Sequence, residues 1–203
     1  MNFMTENSHM IVTAAANMFA RYGYSKTTMG DIAAEAGVAR QTIYNAFSGK
    51  EEILRAVCRK EGEDTYAAVM AAWADAEAIS EKLDAFHLFG PIRWFEAVRA
   101  TPDWAVLMDG LNKISSEEMS VISHQWRAAI TEMLQADTPQ GTAASLSLHD
   151  IVDFFYSTSL NAKYGVDDIT QLRARLATIK VATLVLLQES SAVHPAASDH
   201  MSP

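Results

Sequence analysis

A single cysteine, Cys58, means that this chain of 203 residues cannot close a disulfide within itself. That removes the stapled secreted scaffolds and fits a reducing compartment. A lone thiol of this kind packs as a small hydrophobe unless it is exposed and activated, so no redox role is assigned to Cys58. No stretch approaches the ~20 apolar residues a bilayer span requires. The amino terminus carries no basic-then-apolar leader, and the expectation is a soluble, cytoplasmic protein with no membrane partner. Also missing are a glycine-rich phosphate loop, G-x-S-x-G, H-E-x-x-H and Cys-x-x-Cys. The chain therefore reads as no enzyme, with no cofactor and no metal.

Positive charge is scarce as well. The formal net charge is −9, against an apolar content of 49% that is ample for a globular core. The distribution matters more than the sum. Residues 1–50 hold Arg21, Lys26, Arg40 and Lys50 against Glu6, Asp31 and Glu35, a balance of +1 that leaves −10 for the rest. An acidic body held away from a polyanion while a mildly basic head docks would orient an approach to nucleic acid.

Residues 28–47, TMGDIAAEAGVARQTIYNAF, are the most informative stretch, because two short helical patterns meet at Gly37. Glycine reaches the positive φ of a sharp inter-helix turn without a Cβ clash. Ala33, four residues earlier, is small where two helices must cross closely. Val38, Ile43 and Phe47 fall on the face that turns inward. Arg40, Gln41, Thr42, Tyr44 and Asn45 point out, able to donate to phosphates and base edges as a helix in the major groove does. Before this motif, Ile11, Ala15, Met18, Phe19 and Tyr22 form one apolar stripe at helical period, ended by Gly23. Thr28 with Asp31, and Ser48 with Glu51, have the spacing of capping boxes. The second opens a long helix with Ile53, Leu54 and Val57 inside.

Three segments together, IVTAAANMFARYGY at 11–24, TTMGDIAAEAGV at 27–38 and RQTIYNAFSGKEEIL at 40–54, closely resemble the amino-terminal domain of the tetracycline-repressor (TetR) family of transcription regulators. The resemblance covers roughly residues 8–58. It implies an all-α fold: a three-helix helix-turn-helix head joined by a long helix to a helical ligand-binding and dimerisation domain. It implies that the second motif helix enters the major groove. Tyr44 and Lys50 match family residues that contact the DNA backbone, and Thr28 matches a helix-start residue that touches phosphate. Gly30 and Asn45 stand where family members differ.

The expected division is a head at 1–50, a helical effector and dimerisation domain at 51–190, and a disordered tail at 191–203. Beyond residue 60 the pattern is helical. Gly90-Pro91 interrupts a helix expected over 81–99. Thr101-Pro102 starts a short helix to about Ile114, and Ser115 with Glu118 opens another ending near Ala136. Asp137–Thr142 is a loop, and two long helices follow at about 143–164 and 168–190. In the last, Ile169, Leu172, Leu176, Ile179, Thr183 and Leu186 repeat at 3 and 4, a heptad-like seam. Val181, Ala182 and Val185 widen it, and Phe155 lies on the matching face of the preceding helix. Since the family dimerises through two carboxy-terminal helices, Phe155, Leu172, Leu176, Ile179, Thr183 and Leu186 are expected at a homodimer interface.

Between head and dimer helices, Phe86, Phe89, Trp94, Trp104, Met108 and Trp126 have the composition of an apolar pocket for a small-molecule effector. The reading is a repressor that leaves a palindromic double-stranded operator when such an effector binds. Two alternatives stay open. One is an all-helical metal-dependent enzyme using Asp150 and Asp153, although a D-x-x-D is common on solvated helix faces and only His149 with Asp153 has ligand-like spacing among the histidines. The other is a protein-docking head without sequence-specific DNA binding.

Overall fold

The computed structural model describes residues 6–101, 116–135 and 146–192, and among these no strand occurs. The helices are α1 (Glu6–Tyr22), α2 (Met29–Glu35), α3 (Arg40–Ala46), α4 (Lys50–Asp75), α5 (Ile79–His87), α6 (Arg93–Ala100), α7 (Ser116–Gln135), α8 (Leu148–Asn161) and α9 (Ile169–Ala192). They gather into two compact units. One takes α1–α3, most of α4 and α6; the other takes α5, most of α7, α8 and α9. The expected short helix at 101–114 and the loop at 137–142 lie outside the described residues. So does the expected tail from 193 onward, whereas residues 191 and 192 still belong to α9.

In the first unit, α1 buries Ile11, Val12, Ala15 and Phe19 against Ile32 and Ala33 of α2 and Ile43 of α3. Phe47, Ile53 and Leu54 close the cluster from below. Burying such side chains is worth about 1.5–3 kcal/mol each, enough to hold three short helices that would not persist alone. Tyr22, read as part of the α1 stripe, is instead largely exposed, because the chain turns away at Gly23. The start of α4 differs from expectation by one residue. Glu52, not Glu51, accepts from the Ser48 amide and hydroxyl, both at 2.7 Å. The helix begins at Lys50, so Glu52 is its third residue and the one that can reach back. Glu51 pairs with Arg55 one turn on.

In the second unit, α5 starts where Glu81 accepts from the amides of Glu77 and Ala78. The interruption expected at Gly90-Pro91 is a single wide π turn over Leu88–Ile92, after which the chain resumes as α6. Proline lacks an amide hydrogen and crowds the preceding turn, and widening that turn relieves both defects. α8 begins at Leu148, later than read, because Ser147 and Asp150 form its capping box. Arg175 of α9 donates to the carbonyls of Ala162, Tyr164 and Gly165, satisfying the end of α8.

The core of this unit is aromatic. Phe86 meets Trp126 edge-on at 5.1 Å and Phe155 at the same distance. Beside them the buried His87 ring lies with Nε2 2.9 Å from Ser159 Oγ, so each polar group satisfies the other. Burial pushes the His87 pKa down to about 4, with Asp84 opposing and Lys180 reinforcing the shift. A free histidine titrates near 6.5. Between those two values the unfolded chain takes up a proton that the folded chain refuses. Stability is therefore complete above pH 6.5 and falls as pH drops toward 4, by on the order of 3 kcal/mol from this group. His87→Gln is expected to flatten the pH dependence of Tm across that window. Identical wild-type and variant slopes would show that His87 accepts a proton without penalty.

Candidate nucleic-acid interface

The turn between α2 and α3 positions everything on this face. Gly37 takes φ +67°, and the Val38 and Gly37 amides donate back to the carbonyls of Ala33 and Ala34. This paired closure is the Schellman arrangement, which ends one helix and redirects the chain with its last carbonyls satisfied. Ala33 is buried at the crossing and Ile43 is fully buried beneath it. With Ile43 inward, the helical period sends Arg40, Gln41, Tyr44 and Asn45 outward. All four are exposed, Tyr44 at 55%, and Thr42 is half-buried. Gln41 Nε2 donates to Asn45 Oδ1 at 2.8 Å across one turn. That bond ties the two exposed amides to each other through Gln41 Nε2 and Asn45 Oδ1.

Two residues expected at the interface have most of their hydrogen-bonding capacity used inside the head. The Thr28 hydroxyl accepts from the Asp31 amide at 3.2 Å and donates to Asp31 Oδ2 at 2.7 Å. The Thr28 amide adds a third bond at 2.9 Å, and these bonds, with a smaller contribution from Arg40, hold the Asp31 carboxyl below its ordinary pKa. Lys50 differs more. Its Nζ donates to the carbonyls of Tyr24 at 2.8 Å and Thr27 at 2.9 Å, and sits 4.3 Å from the centre of the Tyr24 ring. Burial lowers its pKa from the usual lysine value. The side chain fastens the start of α4 to the α1–α2 loop. Its spacing after Tyr44 and Phe47 carries no sign of this, since the loop carbonyls lie more than twenty residues away in sequence.

Residues 11–57 match the model of the tetR family of bacterial regulatory proteins. Over that stretch, about a quarter of its length, the chain is similar to the tetR family. The HTH-type transcriptional regulator YezE of Bacillus subtilis is 25% identical over 154 residues, covering 76% of this chain and 69% of its own. The HTH-type regulator SrpR of Pseudomonas putida is 42% identical over 52 residues, 26% of this chain and 24% of its own. Among solved structures, a transcriptional regulator from Cytophaga hutchinsonii superposes with a TM-score of 0.64 at 16% identity, over 91% of this chain and 98% of that one. The fatty acid degradation regulator FadR of Bacillus halodurans superposes at 0.56 with 18% identity, over 92% and 97%. At these identities the superpositions establish the shared fold. The family match itself is confined to residues 11–57, the head. Of the two carboxylates in the enzyme alternative, Asp150 caps α8, and Asp153 accepts from Arg127 Nε and Nη2.

The described residues of the other two expected sites are buried or half-buried. Phe155, Leu172, Leu176 and Thr183 are all buried inside the second unit, and Ile179 and Leu186 are half-buried. Within the unit α9 packs on α8 and α5. The outward side of α9 carries Ala174, Ala177, Val181 and Val185, with the two valines 58% and 48% exposed. Of the expected effector residues, Phe86 and Trp126 fill the core against each other, and Phe89 is half-buried in the π turn. Trp94 is half-buried on α6, in the unit of the head. Trp104 and Met108 lie outside the described residues. Among the described residues no helix is long and apolar enough to cross a membrane.

Lys50→Ala removes two charge-assisted bonds from partly buried carbonyls. It is expected to lower the stability of the free protein by about 1–3 kcal/mol, seen as a lower Tm without DNA. An unchanged Tm, with a salt slope of DNA binding reduced by about 1, would make Lys50 a phosphate contact instead.

Proposed function

We propose that this chain is a homodimeric repressor that binds a palindromic operator through α3 and leaves it when a small apolar molecule binds in the helical body. The observation that carries the reading is the pairing on one seven-residue helix of a buried Ile43 with an outward row of Arg40, Gln41, Tyr44 and Asn45. In this reading Arg40 donates to a base edge, the Gln41–Asn45 amide pair reads a neighbouring base, and Tyr44 meets the backbone. Thr42, half-buried, and Thr28, through its capping hydroxyl, border the phosphates. The head at 1–50 acts on cytoplasmic DNA, and residues 51–190 supply effector binding and dimerisation.

Dimerisation is assigned to the outward side of α9, because Val181 and Val185 remain exposed after the seam is closed within the chain. A two-fold dimer would set two α3 helices about one helical turn of DNA apart, ~34 Å. Effector release is a population shift: a compound that favours a different head separation weakens operator binding, with a coupling of about 1–3 kcal/mol. The aromatic content of the second unit, with Phe86 and Trp126 buried and Phe89 half-buried, supports an apolar effector.

Binding-site selection from randomised duplex DNA tests the reading directly. The full-length protein is expected to enrich a palindrome, and Arg40→Ala to lose about 1–3 kcal/mol on it with little change on random duplex. Equal losses on both would reduce Arg40 to a phosphate contact, and no enriched sequence would reject operator recognition. Val181→Glu is expected to give a folded monomer by sedimentation with sharply weakened operator binding. Leu176→Glu, by contrast, should unfold the second unit, since it would bury a charge inside one chain. A Val181→Glu protein that stays dimeric would place the interface elsewhere.

A further inference from the structure

Gly30 is the second residue of α2, and nothing in its backbone calls for glycine: its φ lies outside the left-handed region, and a helix interior favours alanine. What distinguishes the position is its neighbour. A Cβ on Gly30 would stand 2.6 Å from Arg40 Nη2, 3.2 Å from Cζ and 3.3 Å from Nε. The guanidinium of α3 therefore lies across the bare α-carbon of α2, plane and stem together. Beyond it Asp31 presents a carboxylate already fixed by Thr28, whose charge Arg40 senses. A flexible, exposed side chain is thus seated between two elements of the head instead of sweeping freely over its surface.

We propose that Gly30 is a specificity-setting position of this face, acting as a positioning residue: its missing side chain is the seat that aims the Arg40 guanidinium. The inference rests on reading α3 as the helix that meets base edges. An ordinary contact between a methyl carbon and a guanidinium atom is about 3.5 Å, so any side chain at residue 30 drives Nη2 back by about 1 Å. Bidentate recognition of a base tolerates roughly 0.5 Å. The displacement exceeds that tolerance, while the strain of moving it is small because the clash falls on the far end of a flexible chain. A substituent at Gly30 should therefore change what the protein reads without loosening its fold. The same logic makes residues 30 and 40 one unit of recognition, although they stand on different helices and ten positions apart.

Two measurements on the full-length protein test this. In the free protein, Gly30→Ala is expected to move the Arg40 Nε–Hε resonance, assigned by its loss in Arg40→Ala, without lowering Tm. In selection from randomised duplex DNA, Gly30→Ala is expected to lose at least about fivefold discrimination at the base pair that Arg40→Ala also relaxes, out of the roughly 5–150-fold such a contact provides. Binding to random duplex, governed by phosphates, should be unchanged. Adding Gly30→Ala to Arg40→Ala should have no further effect, since the two act through one side chain. An unmoved Arg40 resonance, an unaltered base preference, or an equal Gly30→Ala effect in the Arg40→Ala background would each overturn the seat. A wild-type protein that enriches no sequence overturns the DNA reading and the specificity role with it. Variants that fail while the wild type enriches a palindrome overturn the seat alone.

Discussion

The crossing of α2 over α3 is the constraint on which the head depends. It requires a small residue at the contact, met by buried Ala33, and a reversal of backbone direction, met by the positive φ of Gly37. Given both, Ile43 drops under Ile32 into a core shared with α1. Every outward residue of α3 then has its direction set by helical period alone. A bulkier residue at 33, or a side chain that resists left-handed backbone at 37, would tilt α3 and misaim all of them together. The bonds around the crossing, from the Thr28–Asp31 box to the Lys50 clasp on the α1–α2 loop, hold the short helices to that geometry.

Polar groups in this protein tend to be satisfied locally before they are offered to anything else. Thr28 and Asp31 cap a helix, Lys50 fastens a loop, Asp150 caps another helix, and Arg175 closes the end of α8. His87 and Ser159 satisfy each other in the middle of an aromatic core. On α3 the outward polar residues form a short row, on a head whose residues 1–50 are nearly neutral in charge. Recognition by such a head depends on a few well-aimed contacts more than on general attraction to phosphate. That is the setting in which a seat for one arginine matters.

Sequence periodicity identified the helices of the head and their order, and motif spacing pointed to the family whose model matches residues 11–57, because the constraints there are local: a turn residue, a cap, a stripe of four or five apolar residues. The roles of individual interface residues were only half legible. Gln41, Tyr44, Asn45 and Arg40 follow from helical phase, whereas the turning inward of Lys50 depends on carbonyls that only folding brings near it. Gly30 was legible only as a position where family members differ, since a residue without a side chain announces nothing more until its neighbour is seen to occupy the space.

The last helices show the division most clearly. The repeat of Leu172, Leu176 and Thr183 determined that α9 has a buried seam. It did not determine whose surface buries that seam, because the spacing of apolar residues is the same for a neighbour in the chain and a neighbour in a second copy. Only tertiary packing shows that α9 lies on α8 and α5 of the same chain, with Leu172, Leu176 and Thr183 buried and Val181 and Val185 exposed. Likewise aromatic content marked an apolar region, but only packing showed Phe86 and Trp126 closing on each other. Fold class, the head and its turn belonged to the sequence, being written in contacts a few residues apart. Which side chains face a neighbour, and which face outward, belonged to contacts between segments up to about a hundred residues distant, as where Lys180 of α9 meets Asp84 of α5.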